Sequence, residues 1–194
     1  MSDDSQPVYK RIPEGTKSNC FYTCPGFLDH IYFRRLKEIL TGAEFQWYYN
    51  NNISYHQEDK PSLGLYGFSH WFKHPNKEGW TTSKWTDLFS PVFYRTQSFI
   101  QGKKILRARA DMVTYQPKQI VYDQHTDFEF ENMSTILYMN ETDGDTIFYK
   151  DGVEINRFSP AQNTLVIFPG NIMHTGSSPV KHNQRILLNS NYVC

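Results

Sequence analysis

The period of the hydrophobic pattern changes along this chain. Leu28, Ile31, Tyr32, Leu36, Ile39 and Leu40 recur every three or four residues, a helical stripe that Gly42 stops. A second helix is predicted to begin at Ser90-Pro91, where Ser caps and Pro takes the first turn, and to end at Gly102. Its apolar face would be Val92, Phe93, Phe99 and Ile100. Beyond Gly102 the pattern shortens to short runs of β-formers: 107–115, 134–139, 146–149, 153–158, 164–168 and a last run opening at 185–188. Lys150-Asp151-Gly152 joins two of these runs with a strong hairpin signal, and Pro169-Gly170-Asn171 stops another. The expectation is an antiparallel β-barrel behind N-terminal helices. Between Asn50 and Trp85 periodicity is weak. Tyr66, Phe68, Trp71, Phe72, Trp80 and Trp85 stand among polar residues there, as in a long loop that closes over a site.

Composition narrows the class. The chain has 194 residues, enough for one core, and its formal net charge is +0. With no basic field, neither nucleic acid nor an anionic membrane is an expected partner. The start lacks the apolar core of a signal peptide, and no run approaches transmembrane length. The 3 cysteines make no disulfide framework, so Cys20 and Cys24 are read as reduced thiols. The expected setting is cytoplasmic. The expected organisation is a tail over 1–20 and a single domain over 21–194.

Four residues carry the chemistry. His125 and Asp127 stand in Gln-His-Thr-Asp, His174 lies far downstream after a turn, and Arg185 follows on the last strand. Two imidazoles and a carboxylate can occupy one face of an octahedral metal and leave three adjacent positions open, the arrangement of non-haem Fe(II) oxygenases. A guanidinium nearby could clamp a dicarboxylate bidentately. A His-x-Asp alone is weak, and a polar turn with a surface histidine explains it equally well. What raises it is placement, because each piece falls at a strand end where a barrel would present it. His70 and His74 have a zinc-compatible spacing. Pro75 follows and no partner completes a site, so both are expected as rim histidines. His30, His56 and His182 are expected on the surface.

From about Phe21 to Tyr192 the chain resembles the Fe(II)/2-oxoglutarate-dependent dioxygenases, in particular their prolyl 4-hydroxylase-like branch. The likeness rests on Pro25-Gly26-Phe27-Leu28 before a helix, on 107–115 leading to Tyr122 and His125-Thr126-Asp127, and on Thr135-Ile136-Leu137-Tyr138-Met139-Asn140. It continues through Asp143-Gly144-Asp145-Thr146 and through Leu165–Pro169 to His174 and Arg185. The resemblance implies a double-stranded β-helix (jelly-roll or cupin-like barrel), mostly β with flanking helices. It implies His125, Asp127 and His174 as ligands of Fe(II), and 2-oxoglutarate and molecular oxygen as co-substrates. Arg185 would meet the far carboxylate of 2-oxoglutarate, helped by Tyr138 and Tyr115, with Tyr122 a further candidate. The implied reaction is hydroxylation of a C–H bond in a peptidyl proline, another amino-acid residue or a free amino acid. The sequence departs from collagen-type members, which carry Lys where Arg185 stands, and Asp143-Gly144-Asp145-Thr146 has lost one glycine. Halogenases of this fold lack the carboxylate ligand that Asp127 supplies. Nucleic-acid demethylases carry a second Arg where Asn191 stands. The competing class is a cupin-like module that binds metal and ligand without oxidation.

Overall fold

The computed structural model describes residues 21–51, 53 and 65–194. The 1–20 tail, Cys20 and His56 lie outside them. In chain order come β1 (Tyr22–Pro25), α1 (His30–Thr41), β2 (Tyr48–Asn50), β3 (Gly67–Lys73), α2 (Thr86–Phe99), β4 (Lys104–Thr114), β5 (Met133–Tyr138) and β6 (Thr146–Lys150). They are followed by β7 (Val153–Phe158), β8 (Thr164–Pro169), β9 (Met173–Gly176) and β10 (Gln184–Val193). A 7-stranded antiparallel sheet has the order β1-β8-β5-β10-β4-β3-β2, and a 3-stranded sheet has the order β7-β6-β9. Isolated bridges Val121↔Ser177 and His125↔His174 lay the segment after β4 beside β9.

Side-chain alternation divides the large sheet between two cores. Ile136 and Tyr138 of β5 join Phe148, Val166, Phe168 and Leu187 between the sheets. Leu137 and Leu188 point the other way, into a larger core with Leu36, Leu40, Phe89 and Phe93 of the helices. Strand β8 and the 136–138 and 186–188 stretches of β5 and β10 therefore read as continuous apolar runs, because both faces are covered there. Ala108 and Ala110 of β4 are fully buried beneath the helices, where their small size lets the helical layer approach. The hairpin forms as predicted. Lys150 pairs with Val153, and both turn residues, Asp151 (φ 52) and Gly152 (φ 77), take the left-handed conformation of a type I′ turn.

Helix α1 starts at an Asp29 cap, whose carboxylate accepts from the N–H groups of Ile31 and Tyr32. Helix α2 starts about one turn before the predicted Ser90-Pro91, so that Pro91 lies inside it. Pro91 removes only one early backbone donor there, and Phe89 anchors the added turn against Phe72 with ring centroids 4.8 Å apart.

The stretch between Asn50 and Trp85 departs most from expectation. Residues 67–73 form an interior strand of the large sheet rather than part of a loop. Phe68, His70 and Phe72 lie on one face and Ser69 and Trp71 on the other. His70 hides the alternation, because a polar residue stands at an inward position. It is buried, not on the rim, with its ring nitrogens 2.6 Å from the Gln46 carbonyl and 2.7 Å from Ser83 Oγ. His74 stacks on Trp71. Trp80 packs on Phe93 and donates to the Tyr94 hydroxyl at 2.8 Å. Trp80→Ala is therefore expected to lower the unfolding free energy by about 2–4 kcal/mol. A urea titration showing an unchanged midpoint would return Trp80 to the rim.

Candidate metal centre

Strand β9 and the segment between β4 and β5 bring the ligand candidates together. His174 sits in β9, paired across an isolated bridge with His125, and the two rings lie 4.6 Å apart. Asp127 leaves the same segment two residues on, its N–H donating to the Gly170 carbonyl at 3.0 Å. One ligand atom from each of His125, Asp127 and His174 lies within 4.8 Å of the others. The Nδ1 of His174 is 2.9 Å from the Ile172 carbonyl, and that of His125 is 3.3 Å from the Asp123 carbonyl. A carbonyl only accepts, so each Nδ1 carries the hydrogen and each Nε2 keeps a lone pair for a metal.

Electrostatics hold His125 and Asp127 in their metal-binding protonation states. Burial, followed by the neighbouring His174, lowers the His125 pKa to about 4. Burial alone would raise the Asp127 carboxyl. The charge of Arg107, helped by His174 and by hydrogen bonds from Ser134 and Asn191, reverses this and holds it well below the usual carboxylate range. Arg107 grips Oδ1, Ser134 grips Oδ2, and Asn191 donates to Oδ2 at 3.0 Å. Gly170 makes this packing feasible, because a Cβ there would lie 1.9 Å from Asn132 Oδ1 and 2.5 Å from Ser134 Oγ.

The His125 shift has a consequence for metal-free protein. The folded pKa is depressed, so between pH 6.5 and about 4 the unfolded chain binds the proton and the folded chain does not. Stability is present above the unfolded value and is lost as pH falls through this window. The loss is expected to be on the order of 2 kcal/mol at pH 5. His125→Gln should lose that much less between pH 7 and pH 5 in urea titrations. Equal losses would exclude His125 as the source.

Beside the triad lies a buried cation. Two residues beyond His174, on the same face of β9 and so roughly 7 Å along the strand, Gly176 abuts Arg185: a Cβ there would come within 3.1 Å of Nη1. A Cβ on Gly144 would reach 2.8 Å from the Arg185 Cδ. Arg185 Nη2 donates to Thr146 Oγ1 at 2.7 Å, and the Tyr138 hydroxyl meets the same oxygen at 2.7 Å. Among the described residues, Arg185 Nε and the Tyr122 hydroxyl are both buried without a hydrogen-bond partner. Burial pushes the Tyr122 hydroxyl up to about 12, with the Arg185 charge opposing. A guanidinium with an orphaned donor, kept clear by two glycines and joined by an orphaned phenol, is a fitting receptor for a carboxylate.

No protein-family model matches this sequence, and no curated protein does. Solved structures do match its shape. A Burkholderia pseudomallei oxidoreductase of the 2OG-Fe(II) oxygenase family superposes with TM-score 0.67 at 12% identity, over 97% of this chain and 96% of its own. A Trichoplax adhaerens prolyl hydroxylase, in complex with a hypoxia-inducible-factor peptide fragment, gives 0.63 at 12%, over 89% and 83%. A Pseudomonas putida prolyl-4-hydroxylase gives 0.59 at 16%, over 91% and 94%. The fold is that of the 2-oxoglutarate- and iron-dependent oxygenases. It is a mostly β double-stranded β-helix with flanking helices, as the sequence implied.

Within this oxygenase fold the structure gathers His125, Asp127, His174, Arg185 and Tyr138 and sets Tyr115 apart. Tyr115 follows the end of β4 at 49% exposure, while Tyr122 is buried near Arg185. Arg107, Ser134 and Asn191, which hold Asp127, were not singled out as a site by the sequence. Their signal is the inward polar positions of β4, β5 and β10, which from sequence read as a solvated face. Asn191, where demethylases carry an arginine, here donates to the carboxylate. Among the described residues, no helix is long and apolar enough to cross a membrane.

Proposed function

We propose that this protein is an Fe(II)- and 2-oxoglutarate-dependent dioxygenase that hydroxylates a C–H bond of a peptidyl prolyl residue or another amino-acid substrate. The observation that carries the reading is the joint arrangement: two imidazoles with free Nε2 atoms, an ionised carboxylate, and buried Arg185 with an unpartnered Nε. His125, Asp127 and His174 would hold Fe(II), and Arg185 with Tyr122 and Thr146 would hold the far carboxylate of 2-oxoglutarate. When bound, these groups supply oxidative decarboxylation of 2-oxoglutarate by molecular oxygen and the oxidant for the C–H bond. The chain's own share is positional. Arg107, Ser134 and Asn191 fix the Asp127 carboxylate, and the Ile172 and Asp123 carbonyls fix the imidazole tautomers. Phe148 and Phe168 pack against His174 and keep water from that side. Support from relatives is of kind only. A Streptomyces hygroscopicus structure of this fold holds nickel and 2-oxoglutarate, and the Trichoplax structure holds a peptide. The test is coupled consumption of oxygen and 2-oxoglutarate with formation of succinate, followed by a screen of peptides and amino acids for a mass gain of one oxygen. Metal binding with no 2-oxoglutarate turnover under any substrate would leave the cupin-like binding module instead.

A further inference from the structure

The large sheet has seven strands and the small one three. Phe148 and Phe158 of the small sheet pack over the β5–β8 side, which leaves the inner face of β4 and β3 partly open. Side-chain exposure marks the change. Arg107 and Asp127 keep 10% and 2%, while Arg109 and Asp111, further along the same face of β4, keep 23% and 21%. Trp71 of β3 lies opposite Arg109, and Ser69 lies opposite Asp111. This half-open patch borders the triad through Arg107, two residues before Arg109 on the same face of β4, whose guanidinium meets Asp127.

The patch is built. Arg109 Nε donates to Asp111 Oδ2 at 2.8 Å, and Asp111 Oδ1 accepts from Ser69 Oγ at 2.8 Å. Ser69 Oγ accepts in turn from Asn50 Nδ2 at 2.9 Å. The Arg109 guanidinium carbon lies 5.2 Å from the Trp71 ring centroid, and the far side of that chain of contacts is braced by His74 stacked on Trp71 at 4.2 Å. These contacts orient the guanidinium and use only Nε. Among the described residues, neither Nη of Arg109 has a hydrogen-bond partner. An oriented fork with both Nη groups unused, backed by an indole, matches the two oxygens of a carboxylate.

We propose that Arg109, held by Asp111 and backed by Trp71, is a substrate subsite for a carboxylate, so that the substrate is an acid. The proposal rests on the oxygenase reading above. Charge supports it. Arg107 offsets Asp127, Arg109 offsets Asp111, and a dianionic co-substrate offsets divalent iron. Arg185 then remains as one positive charge in excess, which a monoanionic substrate balances. Two sources share this chemistry: the α-carboxylate of an amino acid or peptide C-terminus, and an acidic side chain within a peptide.

The experiment uses full-length protein, anaerobic and saturated with Fe(II) and 2-oxoglutarate so that Arg185 is already occupied. The probes are the N-acetyl amino acids, each as free acid and as carboxamide, together with doubly capped Asp- and Glu-containing peptides. Binding is read by ligand-observed NMR. At least one acid is expected to bind tenfold or more tightly than its carboxamide. Arg109→Gln should erase that preference, and Arg109→Lys should recover part of it, since charge returns without the fork. Trp71→Ala should weaken acid and amide alike. Preference confined to free acids marks an α-carboxylate, and preference kept by the capped peptides marks a side chain. Normal loading with no acid preference, or a preference that survives Arg109→Gln, overturns the subsite alone. Failure of the wild type to bind Fe(II) and 2-oxoglutarate overturns the oxygenase reading and the subsite with it.

Discussion

His174→Ala is expected to abolish productive metal binding and, with it, succinate formation. Loss of a partner that merely orients a ligand typically costs 10–100-fold in metal affinity, so loss of a ligand should exceed about 100-fold. Asp127→Ala should do the same and add a structural penalty, because Arg107 would be left buried without its counter-charge. The two variants are therefore separable. Metal-free His174→Ala should melt moderately below metal-free wild type through the space left beside Phe148 and Phe168, and metal-free Asp127→Ala further below through the uncompensated charge of Arg107. Saturating wild type at about 100 times its dissociation constant should add roughly 2.7 kcal/mol of stability, and neither variant should gain it. Anaerobic thermal unfolding with and without Fe(II) reads all of this. Metal-dependent stabilisation in either variant equal to that of wild type would remove that residue from the ligand set.

Arg185→Ala is expected to weaken 2-oxoglutarate by about 2–5 kcal/mol, or roughly 30- to several-thousand-fold in dissociation constant. Arg185 is 7% exposed, so a carboxylate meeting its guanidinium is desolvated and gains a charge-assisted pair at low dielectric. Arg185→Lys should recover part of this, because the charge returns without the fork. Iron affinity should change little, since no hydrogen bond links Arg185 to the triad among the described residues. Isothermal titration of 2-oxoglutarate into Fe(II)-loaded protein decides it. An unchanged affinity would make Arg185 a structural arginine, held only by Thr146.

The legible parts of the sequence were those whose signal is local. The Asp151-Gly152 turn needs two residues at positive φ and announces them. The β8 run and the 136–138 and 186–188 stretches of β5 and β10 are apolar on both faces and read as buried strands without help. His125, Asp127 and His174 were legible as a set because two imidazoles and a carboxylate fall between predicted strands, although only His174 proves to lie in one. The α2 start was misplaced because Pro91 resembles a first-turn proline, and only packing of Phe89 on Phe72 shows that an earlier turn pays its way.

What the sequence could not carry is the direction in which a polar residue faces. The alternation Arg107, Arg109, Asp111 is the same string whether that face meets water or lines a barrel. Only the closing of a small sheet over part of a larger one turns it inward, burying Arg107 against Asp127 and leaving Arg109 half open. The same holds for the tyrosines. Tyr115 stands ten residues before His125 and Tyr122 three, and neither spacing tells which is buried: the turn after β4 exposes the first and the bridge to β9 buries the second beside Arg185. The sequence by itself determined the donor set and the strand content, since both follow from residue type and local period. Tertiary structure alone decided which charges are desolvated and which donors are left unpaired, because burial is a property of the assembled layers.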